Sequence, residues 1–385
     1  MKLVLHIGTP KTGTTSIQNF FSKCSSELQE LGILFPVERS VRQNHILFMG
    51  GFVREDGFNI PHNNIYMGSF KRYKSDFEMF WCSVVRCANK SSVNTVIISA
   101  EQLFRDFNGL SAVELKDFVF KYFDSVQVVA YVRSPVSDYT SKIAQKIRVG
   151  REFSYPRSRS LRKVLEYYES QFPGCVNVNA FARDQLLGGD VVEDFVSRYV
   201  PEARGLLVRY NQPFYNTSLP EPLLIKMQDV RIQLQSDGVY PTVKTRALVE
   251  SIAHQYMCLP KAQRSQKNLV LKPEVADFLR RSAVDYRWLL DTYGLRFSDL
   301  DYSQIAEIEN PYVSAKHLRD VVEVDVEQSA KLHDFGLPAS ALRRGWIVVR
   351  FVTRMQAGRI YRLYLRDSWL LKTRRKYFSG RVLSA

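Results

Sequence analysis

The octet Gly8-Thr9-Pro10-Lys11-Thr12-Gly13-Thr14-Thr15 gathers two glycines, a lysine and four threonines, the residue types that bind an oxyanion. It lies between a short apolar run, Leu3–Ile7, and a segment with Ile17, Phe20, Phe21, Leu28 and Leu31 on one helical face. The octet is therefore predicted to join a buried strand to a helix. A loop in that place aims successive backbone N–H groups at one point, and the helix dipole adds to the attraction for an anion. Gly13 would let the backbone approach a ligand with no Cβ in the way, Lys11 supplies a mobile cation, and Thr14 and Thr15 supply hydroxyl donors. In a nucleoside-triphosphate loop the lysine follows the second glycine. Here Lys11 comes two residues before Gly13, and the strands that follow run on to Glu101 and Arg133 with no aspartate suited to Mg²⁺.

A second constellation is Tyr131-Val132-Arg133-Ser134-Pro135-Val136-Ser137-Asp138-Tyr139-Thr140-Ser141. Arg133 at a strand's carboxyl end can fork onto a phosphate. Ser141, inside a helix expected to begin near Ser137, could donate to the same group. The carboxyl ends of parallel strands are where ligands bind in open α/β sheets.

The elements that must position these residues alternate along the chain. Buried strands are predicted at Leu3–Ile7, Thr95–Ser99, Gln127–Val132 and Val176–Ala180. Ser111-Ala112-Val113-Glu114 has the form of a capping box, followed by Leu115, Phe118, Val119, Tyr122 and Phe123 at helical spacing. Such alternation implies an α/β fold with a parallel sheet covered on both faces. Gly50–Ser75, rich in Gly, Asn and aromatics, is too long for a simple connector and is expected to be a functional loop or lid. Its Phe52, Phe58, Tyr66, Phe70 and Tyr73 could stack on sugar faces. From about Pro220 the pattern turns helical, and 301–341 reads as an acidic, irregular connector.

With 385 residues, 45% of them hydrophobic, the chain can bury a large core, which excludes a disordered or fibrous protein. No apolar run approaches the ~18 residues of a spanning helix. Met1–His6 reads as a strand and not as an export signal, and the five cysteines have no metal-like spacing. A cytoplasmic protein with reduced thiols is the expectation. The net charge of +15 is uneven: from Arg343 onward, twelve basic residues face one acidic, Asp367, so this tail carries +11. Arg343, Arg350 and Arg354 share one helical face, and Arg359, Arg362 and Arg366 share another beyond Gly358. Two amphipathic half-helices are expected, and with Trp346 and Trp369 they suit peripheral docking on an anionic membrane surface. Packing against the acidic 301–334 stretch is the alternative.

Pro10-Lys11-Thr12-Gly13-Thr14-Thr15 resembles the 5′-phosphosulfate loop of sulfotransferases that use 3′-phosphoadenylyl sulfate (PAPS). Arg133, with Pro135 and then Ser141, looks like that family's 3′-phosphate motif. His6-Ile7-Gly8-Thr9 through Ile17-Gln18 is similar to bacterial members that modify carbohydrates. Weaker echoes are Arg183-Asp184-Gln185-Leu186, Asn216-Thr217-Ser218-Leu219 and Trp288-Leu289-Leu290.

The resemblance covers about residues 1–300 and implies a P-loop-like three-layer α/β/α fold there, with a PAPS-binding core to about 215 and a helical part from about 216; the acidic connector 301–341 and the basic tail from 342 have no counterpart in it. It implies that Pro10, Lys11, Thr12, Gly13, Thr14 and Thr15 hold the 5′-phosphate. Lys11 would also neutralise the bridging oxygen as the S–O bond breaks, and Arg133 and Ser141 would hold the 3′-phosphate. No metal is expected. The acceptor would be a hydroxyl of a carbohydrate or glycolipid, reached from the inner face of the cell membrane. Its general base is either Glu101, which follows the second predicted strand, or His45, 34 residues after Lys11. Arg183 and His62 are further candidates for the acceptor cleft. Two other classes stay open: a nucleotide phosphotransferase, which would need ATP–Mg²⁺, and a non-enzymatic basic protein that binds nucleic acid, which the lack of any recognised motif disfavours.

Overall fold

The computed structural model describes residues 1–37, 44–55, 69–90, 92–104, 112–149, 152–210, 218–236, 249, 252–253, 256, 258, 265 and 267–325. The basic tail, Ser111, His62, Phe58 and Tyr66 lie outside the described residues.

Five strands form one parallel sheet in the order β2-β3-β1-β4-β5: β1 Lys2–Gly8, β2 Ile33–Leu34, β3 Thr95–Ser99, β4 Ser125–Val132 and β5 Val176–Ala180. The helices, in chain order, are α1 Thr14–Lys23, α2 Ser25–Glu30, α3 Phe70–Lys90, α4 Ala112–Tyr122, α5 Pro135–Arg148, α6 Arg162–Gln171, α7 Val191–Tyr199, α8 Arg204–Tyr210, α9 Glu221–Ser236, α10 Pro273–Arg281 and α11 Val284–Tyr293.

Successive strand residues point to opposite faces, so each central strand feeds two cores. Leu3, Leu5, Ile7, Val96, Ile98, Val128 and Ala130 pack on one side with Trp81 of α3, Val119 of α4, Tyr168 of α6 and Leu289 of α11. Val4, Ile97, Val129 and Tyr131 pack on the other with Ile17, Phe20 and Phe21 of α1 and Phe195 and Val196 of α7. The result is a three-layer α/β/α sandwich.

The chain leaves β1 toward β2 on one side, whereas β4 and β5 lie on the other. Strand order thus reverses at β1, and the carboxyl ends of β1 and β4 flank the crevice where such sheets bind ligands. Both segments expected to bind an anion begin there, at Gly8 and at Arg133.

The stretch expected as a loop or lid divides differently. Residues Ile46–Gly51 form a 3₁₀ turn, and helix α3 starts at Phe70. Phe52 and Tyr73 are core residues, each 2% exposed, and not sugar platforms. Phe52 packs edge-on to Phe48, Phe77 and Phe118, with ring centroids 5.1–5.6 Å apart. Helix α5 begins at Pro135, two residues before the expected Ser137, because proline suits the first helical position.

The described chain separates into two compact units. Met1–Ser141, Pro156–Asn216 and Pro273–Pro311 form the first, which holds the sheet. The second comprises the described residues of Lys142–Tyr155, of Thr217–Lys272 and from Tyr312 to 325. Within it, Gln228 of α9 accepts from Leu318 N at 2.7 Å, and Asp229 accepts both Arg319 Nη1 and Nη2 at 2.7 and 2.9 Å. Among the described residues no helix is long and apolar enough to cross a membrane.

Candidate active site

The loop after β1 is fixed from within and from below. Thr9 N–H and its Oγ1 both donate to Tyr131 O on β4, each at 3.0 Å. Thr12 Oγ1 donates back to Thr9 O at 2.6 Å, which commits that hydroxyl proton to the loop. Lys11 and Gly13 have φ of 73° and 76°, whereas Thr12 between them stays out of the left-handed region. A left-handed residue is uncommon for lysine and gathers at functional sites. Left-handed residues in such turns are what lets neighbouring N–H groups converge on an anion.

Gly13 is required on a second count. A Cβ there would stand 2.6 Å from Val191 Cγ1 and 3.0 Å from Phe181 Cε2. Gly13 is also the N-cap of α1, and no side chain caps that terminus. Thr14, the first helical residue, is 3% exposed, and its buried hydroxyl makes no hydrogen bond within the protein. A buried donor without a partner costs free energy unless something else accepts it. The Thr14 hydroxyl and the uncapped helix start therefore fit an oxyanion; Thr15 stands exposed beside them.

Arg133 reaches this loop directly. Its Nε–H donates to Lys11 O at 2.5 Å, its Nη1 donates to Ser137 Oγ at 3.2 Å, and the guanidinium lies over the Phe181 ring at 4.4 Å. Tyr286 OH donates to Arg133 O at 2.6 Å. Ser141, half-buried, follows Ser137 by one helical turn on α5 and so shares its face.

Glu101 opens the 3₁₀ turn after β3. Gly8 passes so near that a Cβ on it would stand 3.3 Å from Glu101 Cα. Burial raises the Glu101 carboxyl above its usual range, while Lys11 and Arg159 pull it the other way. This carboxyl therefore shares the field of the loop lysine.

His45 is placed differently. It is 1% exposed, and Ser99 N–H donates to its Nδ1 at 2.9 Å. The neutral ring then carries its proton on Nε2, which donates to Pro36 O at 2.7 Å. Both nitrogens are spent on backbone. Beside it, His6 Nδ1 lies 2.9 Å from Ser99 Oγ, and Gln18 Nε2 donates to Ser99 O and Oγ, each at 3.1 Å. These four residues tie β1, β3 and α1 together behind the loop.

Burial holds His6 and His45 neutral, with pKa values lowered to about 3 and about 4. In the unfolded chain both would protonate near pH 6.5. Between pH 6.5 and 4 the unfolded state binds the more protons, so stability falls as pH falls. Two such sites together cost about 3 kcal/mol per pH unit. Urea unfolding at pH 7.5 and 5.5 should show the midpoint drop sharply, and His45→Gln should roughly halve the pH slope. A flat profile would contradict the assignment.

Arg183 is exposed. Phe181, Arg159 and Tyr286 join the site although nothing in their local sequence marks them, and Asp138 of the second constellation joins it as the partner of Arg159. The fold and site define a parallel α/β protein whose Gly-Thr loop and Arg133 meet at the switch point of the sheet. No family model, curated protein or solved structure matches the chain.

Proposed function

We propose that this chain is a PAPS-dependent sulfotransferase with a P-loop-like nucleotide site, acting on a hydroxyl of a carbohydrate or glycolipid. One observation carries the reading: Arg133 is bonded to Lys11 O, so two anion-binding elements 122 residues apart in the chain act as one constellation. The buried, unpartnered Thr14 hydroxyl and the Gly13 cradle support a phosphate at the loop.

PAPS supplies a sulfuryl group activated by its anhydride link to phosphate. The backbone N–H groups around Gly13 and the Thr14 hydroxyl hold the 5′-phosphate, and Arg133 with Ser141 holds the 3′-phosphate. Glu101 takes the proton of the acceptor hydroxyl as its oxygen bonds to sulfur. Lys11 neutralises the charge left on the bridging oxygen as the old S–O bond breaks, so the products are the sulfate ester and 3′,5′-ADP. This is catalysis by positioning and electrostatic preorganisation. His45 has no nitrogen to offer a substrate and serves the frame.

Calorimetry with 3′,5′-ADP, 5′-AMP and ATP–Mg²⁺ tests the proposal. 3′,5′-ADP should bind without metal, at least ~10-fold tighter than 5′-AMP, since a phosphate–guanidinium contact is charge-assisted. Arg133→Ala should erase most of that preference. Preferred binding of ATP–Mg²⁺ would transfer the site to phosphoryl chemistry, and binding of none of the three would end the nucleotide reading.

A further inference from the structure

Two successive carbonyls of the loop are each held by an arginine from a distant segment. Arg133 Nε holds Lys11 O at 2.5 Å, and Arg159 Nη2 holds Pro10 O at 3.3 Å. Arg159 is itself fastened: it grips Asp138 of α5 through Nη2–Oδ1 at 2.8 Å and Nε–Oδ2 at 3.3 Å. This pair is buried, with side chains 10% and 5% exposed. A bidentate guanidinium–carboxylate pair fixes direction as well as distance.

The direction matters because the peptide is planar. The Pro10–Lys11 and Lys11–Thr12 bonds are trans, so each held carbonyl points its partner N–H the opposite way. With Pro10 O and Lys11 O both drawn toward the arginines, the N–H groups of Lys11 and Thr12 are turned away from them. The left-handed Lys11 makes that double turn possible.

We propose that Arg159, anchored on Asp138, is a positioning residue that sets the loop in its anion-binding form before the ligand arrives. The inference rests on reading the loop as the 5′-phosphate site. Arg133 is assigned to a phosphate and can change partners on binding. Arg159 is committed to Asp138 and Pro10, and so is the constant part of the frame.

The test is hydrogen exchange on the full chain, read over residues 8–17, for the wild type, Arg159→Lys and the double variant Arg159→Met/Asp138→Asn. The double variant leaves no unpaired buried charge, which guards against simple unfolding. Thr9, Ser16 and Ile17 N–H are bonded to Tyr131 O and Gly13 O and report on loop order. Their exchange should quicken about tenfold in the double variant, with Arg159→Lys intermediate, while 95–99 and 126–132 keep their rates. Affinity for 3′,5′-ADP should fall roughly 10- to 100-fold, the loss expected when preorganisation is removed. Unchanged exchange over 8–17, equal acceleration across the sheet, or faster exchange with undiminished affinity would each overturn the proposal. A wild type that binds no 3′,5′-ADP would sink the nucleotide reading, and the exchange result would still decide the clamp.

Discussion

Replacing Lys11 with alanine is expected to slow sulfuryl transfer by roughly 10²- to 10³-fold, the usual loss when one preorganised donor to developing charge is removed. Affinity for 3′,5′-ADP should change by less than about tenfold, because the proposed ground-state contacts are backbone N–H groups and Arg133. The backbone argument is specific to this position. Lys11 has φ 73°, and alanine carries the same Cβ, so the substitution adds no new strain to the loop. Lys11 O remains to accept from Arg133 Nε. What disappears is a cation close enough to Glu101 to lower its pKa. Single-turnover release of the sulfuryl group, to water or to any sugar hydroxyl the wild type uses, separates rate from affinity. A loss confined to affinity would make Lys11 a ground-state phosphate ligand.

The strands over Leu3–Ile7, Thr95–Ser99 and Gln127–Val132 were legible as short runs rich in apolar, β-branched residues, and Val176–Ala180 by its alternating Val-Asn-Val-Asn pattern; Thr95–Ser99 and Val176–Ala180 match their predicted bounds. Ile33–Leu34 has only two residues and no periodicity of its own; it becomes a strand by pairing with Thr95 and Val96. The start of α3 was hidden by Lys71, Arg72, Lys74 and Asp76, although Tyr73, Phe77, Phe80, Trp81 and Val84 carry helical spacing. The loop and Arg133 could be read because residue type and spacing alone describe them. Phe181, Arg159 and Tyr286 could not, since each acts by lying against a segment more than forty residues away in sequence. His45 shows the same limit. Its type and position suit a base, but its partners are the backbone of Pro36 and Ser99, which no side-chain pattern encodes.

The second large effect concerns Glu101. Glu101→Gln keeps the shape of the side chain and removes its capacity to take a proton, so turnover should fall roughly 10²- to 10⁴-fold, the contribution typical of a general base. As the proposed base, Glu101 must be ionised, so activity should fall as pH drops through the Glu101 pKa. Burial raises that pKa, which places the acid limb of kcat/KM above the ordinary carboxylate range. Lys11 is the larger of the two cations that oppose the shift, and Arg159 is the other. Removing either cation must let the pKa rise further, so Lys11→Ala should move the acid limb of its residual activity to higher pH, and Arg159→Met should move it by less. Glu101→Gln should remove that limb altogether. His45 predicts another pattern, because its pKa is lowered to about 4 and neither cation acts on it. An acid limb that survives Glu101→Gln, or stays in place in Lys11→Ala, would mean that the proton is taken by a group outside this constellation.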